Sequence, residues 1–314
     1  MVGRGNKPTA LTSTPGLTPQ PTVTISDDNR LVTAVLPTGE SVAVLLHGAT
    51  VTSWKDASGS EKLWLSSAAK LDGTKAVRGG IPVVFPVFGT SDKVALPQHG
   101  FARTSRWEFL GKSTSESASE NGADLSVKLD FGLSGSGLDE ETRKKWPYAF
   151  GLIYSVTLNR ESLTTGLVVS NDDDKAFEVQ VLLHTYLRVK DVNQVEVTGL
   201  EGASYVDKVD GASTKTQSAS VKITGETDRV YNPTSNNPVV VLEGGKKTFS
   251  VVRDNLVNVV VWNPWTDKAA GMGDFEPKDG YKNMLCVEPG SVSAWQSLEP
   301  GDAYEGAQTI TYYS

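Results

Sequence analysis

A single cysteine, Cys286, occurs in the 314 residues, so an intrachain disulfide is excluded and packing alone must hold the fold. The chain also lacks any Asn-x-Ser/Thr acceptor and any uninterrupted apolar run near the ~20 residues that span a bilayer. Its first residues, MVGRGNKPTALTSTPGLTPQPTVT, carry no apolar signal core and too little Arg for a mitochondrial transit peptide. A cytosolic protein without membrane attachment is expected. Positive charge is scarce, with 30 Lys and Arg against 37 Asp and Glu and a net charge of −7, which argues against nucleic-acid or anionic-membrane binding through basic patches. An anionic ligand would therefore need a local cationic pocket.

Histidine is also rare. His47, His99 and His184 stand far apart, and no Cys/His/carboxylate group has the spacing of metal ligands, so no metal is expected. No GxGxxG opens a helix after a strand, and there is neither a Walker loop nor a GxSxG elbow. Cys286 itself lies in an apolar run and reads as a small core residue rather than a nucleophile. No cofactor is expected.

What is present is a folded domain with ample apolar material, 38% of the chain, and many short β-branched runs between Gly, Asn, Asp and Pro. LVTAVL (31–36), SVAVLL (41–46), LSVKLDF (125–131), LIYSVTL (152–158), LTTGLVVS (163–170), FEVQVLLHTYLRV (177–189), NVVVW (258–262) and AQTITYY (307–313) are examples. The pattern predicts an all-β fold, residues 22–314 forming one domain behind a disordered Thr/Pro/Gly-rich arm at 1–21. One short surface helix is expected at 138–146, acidic first, basic last and stopped by Pro147. SESASENG (115–122) and VDGASTKTQSAS (209–220) read as polar connections.

Within FEVQVLLHTYLRV the strand period puts Val179, Val181, Leu183, Leu187 and Val189 on one apolar face, with Gln180, His184, Tyr186 and Arg188 on the other. A polar, aromatic strand face suits the floor of a carbohydrate cleft. Taken alone, His184 reads more readily as a half-exposed strand histidine without a role. In NMLCVEPGS (283–291) an apolar run delivers Glu288 to a Pro-Gly turn, placing a carboxylate at a strand end, as a general base or a solvated turn residue. Asp228 in TGETDRVY has an Asx turn or a pair with Arg229 as its structural alternative. VRGGIPVVFPVFG (77–89) is incompatible with helix and suggests a buried irregular path with a paired Arg78 at its head. LPQHGFARTSRW (96–107) gathers Gln98, His99, Arg103 and Arg106, guanidinium forks that could clamp a phosphate or salt-bridge a loop. Trp262 and Trp265 could stack on a pyranose or pack in the core.

Taken in order along the chain, RGGIPVVFP, PQHGFAR, LLHTYLRV, TGETDRVY and VEPGS resemble the aldose 1-epimerase superfamily, and within it the glucose-6-phosphate 1-epimerase branch. The resemblance implies a galactose mutarotase-like supersandwich of two large, twisted antiparallel sheets with the site in a concave cleft. It implies that His184 and Glu288 are the acid–base pair, Glu288 as base and protonated His184 as acid on opposite sides of the anomeric carbon. Arg78, Gln98, Arg103 and Asp228 match substrate-binding positions, and His99 matches the cleft histidine of neutral-sugar mutarotases. The implied ligand is a hexose 6-phosphate, acted on by a monomer. Mutarotation of free aldoses, a glycosidase built on Asp228 and Glu288, and a sugar-phosphate sensor without turnover are the competing readings.

Overall fold

The computed structural model describes residues 19–115 and 125–313. Most of the expected N-terminal arm (residues 1–18) and residues 116–122 of the SESASENG connection lie outside the described residues. The first strand, Thr22–Ile25, starts where the folded domain was expected to start.

The described strands form three antiparallel sheets, of four, eight and nine strands. The four-stranded sheet, running from Thr22–Ile25 to Thr50–Lys55, is an addition to the two large sheets that the resemblance implies. Strands of the nine-stranded sheet bury alternate residues: in Ser162–Asn171 every second side chain is buried while its neighbours are half-exposed. That period of two is the sequence signal of a strand with one wet face. Its inward side chains, among them Leu129, Phe131, Tyr154 and Val169, join Val179, Leu183, Val259, Val261 and Val287 of the eight-stranded sheet in one core. Each such side chain contributes ~1.5–3 kcal/mol by leaving water.

The central strands of the eight-stranded sheet are buried on both faces. Its path runs Ser213–Thr216, Ser204–Asp207, Thr227–Asn232, Asn258–Asn263, Met284–Leu298, Phe177–Leu183 and Val83–Val84, with Tyr186–Arg188 also paired to Met284–Leu298. All six residues of Asn258–Asn263 are buried. Those not facing the main core form a second cluster that includes Trp64, Tyr186, Val260, Trp262, Phe275 and Cys286.

Several local expectations change. FEVQVLLHTYLRV is two strands rather than one, because the His184 N–H turns to the Pro82 carbonyl (3.0 Å) and the Thr185 N–H to the Leu183 carbonyl (2.9 Å) before pairing with Met284–Leu298 resumes at Tyr186. Its two-faced pattern survives the break. VEPGS is no turn: Met284–Leu298 runs for 15 residues, and Pro289 and Gly290 pair with Val259 and Asn258 inside it. Opposite Pro289 the neighbouring ladder is interrupted, between the pairs Leu182–Gly290 and Tyr186–Cys286, and a broken ladder is where a sheet tolerates proline. VDGASTKTQSAS contains the edge strand Ser213–Thr216. The expected helix is Glu140–Lys145, capped by the Asp139 side chain accepting from the Thr142 N–H, and a second helix, Trp265–Gly271, was not foreseen because seven residues carry too little periodicity.

The irregular path 77–89 is buried as expected, with Ile81, Val83, Val84 and Phe85 fully enclosed. Gly100 closes against it. Its φ is +71°, and a Cβ there would lie 2.1 Å from the Phe85 carbonyl oxygen. Gly100→Ala is expected to lower stability by at least ~2 kcal/mol, read as a lower urea midpoint at unchanged slope. An unchanged midpoint would mean that the loop relaxes without cost.

Candidate active site

Strand register sets the floor of the site. Tyr186 pairs with Cys286, Cys286 with Trp262, and Trp262 with Asp228, so one row crosses four strands. Side chains two residues along a strand share a face, so Glu288 follows Cys286 on the same side, next to Val260 across the pair. His184 reaches this face from the break between its two strands. Glu288 thus stands mid-strand, not at a strand end, paired with Val260 on one side and facing the break at His184 and Thr185 on the other.

His184 Nδ1 and Glu288 Oε1 lie 3.4 Å apart, the histidine 8% and the glutamate 1% exposed. They face each other without hydrogen-bond alignment, so Nδ1 is a buried nitrogen with no hydrogen-bond partner. The two groups stand side by side at the pocket floor. The imidazole is clamped by stacking on Tyr186 (4.6 Å between centroids, 8° between planes), itself stacked on Trp64 at 6.0 Å, which stacks on Phe275 at 4.6 Å. Burial pushes the Glu288 carboxyl well above its ordinary range, and the nearby Asp228 charge adds to this. Burial, then His99, Arg103 and Arg78, hold the His184 imidazolium well below its ordinary range.

The pocket above this pair has a volume of about 330 Å³, within the range of small-molecule sites, and contains all seven residues singled out from the sequence: Arg78, Gln98, His99, Arg103, His184, Asp228 and Glu288. Arg78 meets Asp274 with a two-pronged pair, 3.2 Å from Nε to Oδ1 and 3.2 Å from NH2 to Oδ2, and donates to the Tyr186 hydroxyl at 3.4 Å. Its charge is therefore paired, as expected. Arg103 differs: NH2 donates to the Gln98 carbonyl at 2.8 Å, buried Nε has no hydrogen-bond partner, and no carboxylate pairs with it among the described residues. Burial and the Arg78 charge lower its pKa to about 10, so it stays charged near neutrality. His99 has φ +68° and accepts the Gly89 N–H at Nδ1 (3.1 Å), leaving Nε2 as an N–H donor. Burial and the charges of Arg103, Lys208 and Arg78 bring its pKa to about 3, so the ring is neutral. Asp228 is in a strand, not an Asx turn, and Arg229 pairs with Asp207 at 3.6 Å instead. Burial raises the Asp228 pKa.

Arg106 lies outside this pocket and donates to the Asn29 carbonyl, so it belongs to loop structure. Gln180 is also structural beside the site: its carboxamide accepts from the Phe88 N–H (3.0 Å) and donates to the Val292 carbonyl (2.7 Å). Lys208, Lys268 and Phe88 line the pocket without a signal in the sequence. Lys208 follows an ordinary strand and sits 4.0 Å above the Phe88 ring, pairing with no carboxylate among the described residues, whereas Lys268 pairs with Glu226 at 2.8 Å. Trp262 walls the pocket, while Trp265 packs on the main core. Cys286, though buried as expected, meets His184 and Glu288 with one ligand atom of each residue within 4.8 Å of the others, a cluster invisible in linear spacing. No helix among the described residues is long and apolar enough to cross a membrane.

Comparison with known proteins places the chain in a family. A Cenchrus ciliaris protein provisionally named glucose-6-phosphate 1-epimerase is 38% identical over 267 residues, 84% of this chain and 78% of that protein. An Escherichia coli K12 protein of the same provisional name is 35% identical over 266 residues, 84% of each chain. The crystal structure of a Salmonella typhimurium protein, provisionally called a mutarotase, superposes with a TM-score of 0.79 at 31% identity, covering 95% of both chains. The aldose 1-epimerase family profile matches residues 30–311, and with the fold and the buried pair in place the chain belongs to that family.

Proposed function

We propose that this protein interconverts the α and β anomers of a hexose 6-phosphate, glucose 6-phosphate being the first candidate, through proton transfer by His184 and Glu288. The observation that carries the reading is the enclosed His184–Glu288 pair beneath a guanidinium, Arg103, that no carboxylate neutralises among the described residues. The provisional names of the plant and bacterial relatives point to the same substrate.

Ring opening takes the proton from the C1 hydroxyl and delivers one to the ring oxygen. Both oxygens are bonded to the same carbon, so an acid and a base 3.4 Å apart can serve them together. Burial of the pair favours uncharged forms of both groups, and the pair is read as holding one shared proton, resting on the carboxyl side. An ionised Glu288 beside an imidazolium has the same proton count, so an incoming sugar can use either arrangement. The open aldehyde turns about C1–C2 and recloses with the two roles exchanged. Neutral His99 offers Nε2–H to a sugar oxygen, Asp228 binds ring hydroxyls, and Trp262 supplies an apolar wall. Arg103 and Lys208, both without a carboxylate partner among the described residues, hold the phosphate. Arg78, already paired with Asp274, orients the site through Tyr186. A cytosolic, monomeric enzyme belongs to the same proposal, its compartment supported by the lone cysteine and the missing glycosylation acceptors.

NMR exchange between the anomers of glucose 6-phosphate and of glucose tests this directly. Acceleration for the phosphate ester, with a much smaller effect on glucose, is expected. Equal efficiency would favour free aldoses, and binding without faster exchange would favour a sensor.

The pH dependence follows from the directions of the two shifts. Raised Glu288 keeps the shared proton to pH above the ordinary carboxylate range, and the rate falls as pH rises through that value because the acid is gone. Lowered His184 resists a second proton until pH is below the ordinary imidazole range of ~6.5, where the base is lost. A bell-shaped kcat/KM profile is expected, measured with a chelator present, whose acidic limb lies below that value. An acidic limb above pH ~6.5 would contradict the buried neutral pair.

A further inference from the structure

We propose that His184, Cys286 and Glu288 form a binding site for a thiophilic divalent cation of the zinc class, which inhibits the protein by occupying its acid–base pair. Cys286 and Glu288 share the strand Met284–Leu298 and His184 lies in the break of the chain beside it; all three are buried, with the ligand atoms mutually within 4.8 Å. In a tetrahedral zinc site, bonds of ~2.0–2.1 Å to nitrogen and oxygen place those two atoms about 3.3–3.4 Å apart. His184 Nδ1 and Glu288 Oε1 are 3.4 Å apart. That spacing is long for a hydrogen bond and correct for the edge of a metal tetrahedron.

A second, independent observation is the state of Nδ1. It is buried on a residue only 8% exposed, and no hydrogen bond satisfies it. Such an orphaned nitrogen is costly in a folded protein, and a metal ion is one of few partners that could use its lone pair here. Both His184 and Glu288 line the pocket, which gives the ion an entry path and a fourth position for water. Cys286 lies behind them and supplies the soft ligand that selects zinc, cadmium or cobalt over magnesium and calcium.

Binding displaces the thiol proton of Cys286, and that of Glu288 where it is present, into solvent. The two resulting anions neutralise the dication. Arg103, Lys208 and the other cations around the pocket oppose its entry, and a bound phosphate ester would exclude it by occupying the same space. The metal-bound state has no free acid or base at the floor, so it cannot turn over. Metal binding itself rests on the geometry alone, and only the inhibition arm rests on the proposed reaction.

The test uses the full chain, stripped of metal with a chelator and titrated with cobalt(II), whose thiolate complexes absorb through ligand-to-metal charge transfer. Cys286 is the only cysteine of the chain, so the wild type alone assigns the band. Expected are one equivalent bound with a thiolate band, displacement by zinc but not by magnesium, suppression by glucose 6-phosphate, and zinc inhibition of anomer exchange reversed by EDTA. Cys286→Ser should abolish the band and weaken zinc at least tenfold. A saturating titration without a thiolate band would overturn the proposal, as would half an equivalent bound between two chains or unchanged zinc inhibition in Cys286→Ser. Should that variant not fold, the wild-type band and its stoichiometry decide. Should the chain lack anomer exchange, the cobalt spectrum still reads the site.

Discussion

Glu288→Gln is expected to lower kcat for anomer exchange at least ~10²-fold, the lower end of what a positioned acid or base contributes. The carboxamide keeps the volume and hydrogen-bonding shape of the protonated carboxyl, the form that burial favours at this place, so the strand should remain intact. What disappears is the ability to take or release a proton. Because Glu288 is held mid-strand, paired with Val260 and facing the break at His184, its carboxylate has a fixed place that no other carboxylate shares. Asp228 is the nearest substitute, and it projects from a strand two positions away across the sheet. Unfolding by urea should show a midpoint close to that of the wild type, and turnover close to wild type would remove Glu288 from the mechanism. His184→Asn should act in the same way through the other half of the pair, leaving the Tyr186–Trp64–Phe275 stack without its outer ring. If His184→Asn retains full turnover, His184 is not the acid–base partner, and His99, its ring 5.9 Å away, is the next residue to substitute.

The second large effect is expected at Arg103. Its charge-assisted hydrogen bonds to a phosphate should contribute roughly 1.5–3 kcal/mol, or about a ten- to hundredfold rise in KM for hexose 6-phosphate when the residue is Ala. Activity on glucose, which carries no phosphate, should change little. Arg103→Lys should rescue in part, since an ammonium restores charge without the planar fork. The guanidinium also donates to the Gln98 carbonyl, so loss of that bond could loosen the 96–107 loop. The substrate comparison separates the two effects: a loop defect slows both sugars alike, whereas a lost phosphate contact slows only the ester. Arg78→Ala is expected to slow both, because its partners Asp274 and Tyr186 tie it to the floor of the site. Equal losses on both sugars in the Arg103 variants would make the free-aldose reading the better one.

How much of this was legible in the sequence depended on how local the cause was. Period-two alternation in 163–170 and 177–189 is a property of the strand itself, and both patterns appear as two-faced strands. Asp139 capping a short helix and Pro147 ending it are likewise local. The five motifs were sufficient to single out seven residues that the fold gathers in one pocket. Local signals misled where a residue has two uses. Pro289–Gly290 has the composition of a turn, yet long-range pairing with 258–259 keeps it in the ladder, and the break at Leu183–Thr185 on its other side leaves room for the proline. Arg106 and Arg103 look alike three residues apart, and the turn between them sends one to Asn29 and the other to the pocket.

The sequence by itself determined the all-β class, the absence of disulfides, and the identity of the groups able to move a proton, because these follow from composition, period and side-chain chemistry. Only the tertiary structure decided their mutual state. The 3.4 Å approach of His184 to Glu288, the thiol of Cys286 beside them, and the unneutralised Arg103 are contacts between segments remote in the chain. Remote segments meet only through sheet register, and it is the burial created by that meeting, not residue type, that raises one pKa and lowers the other.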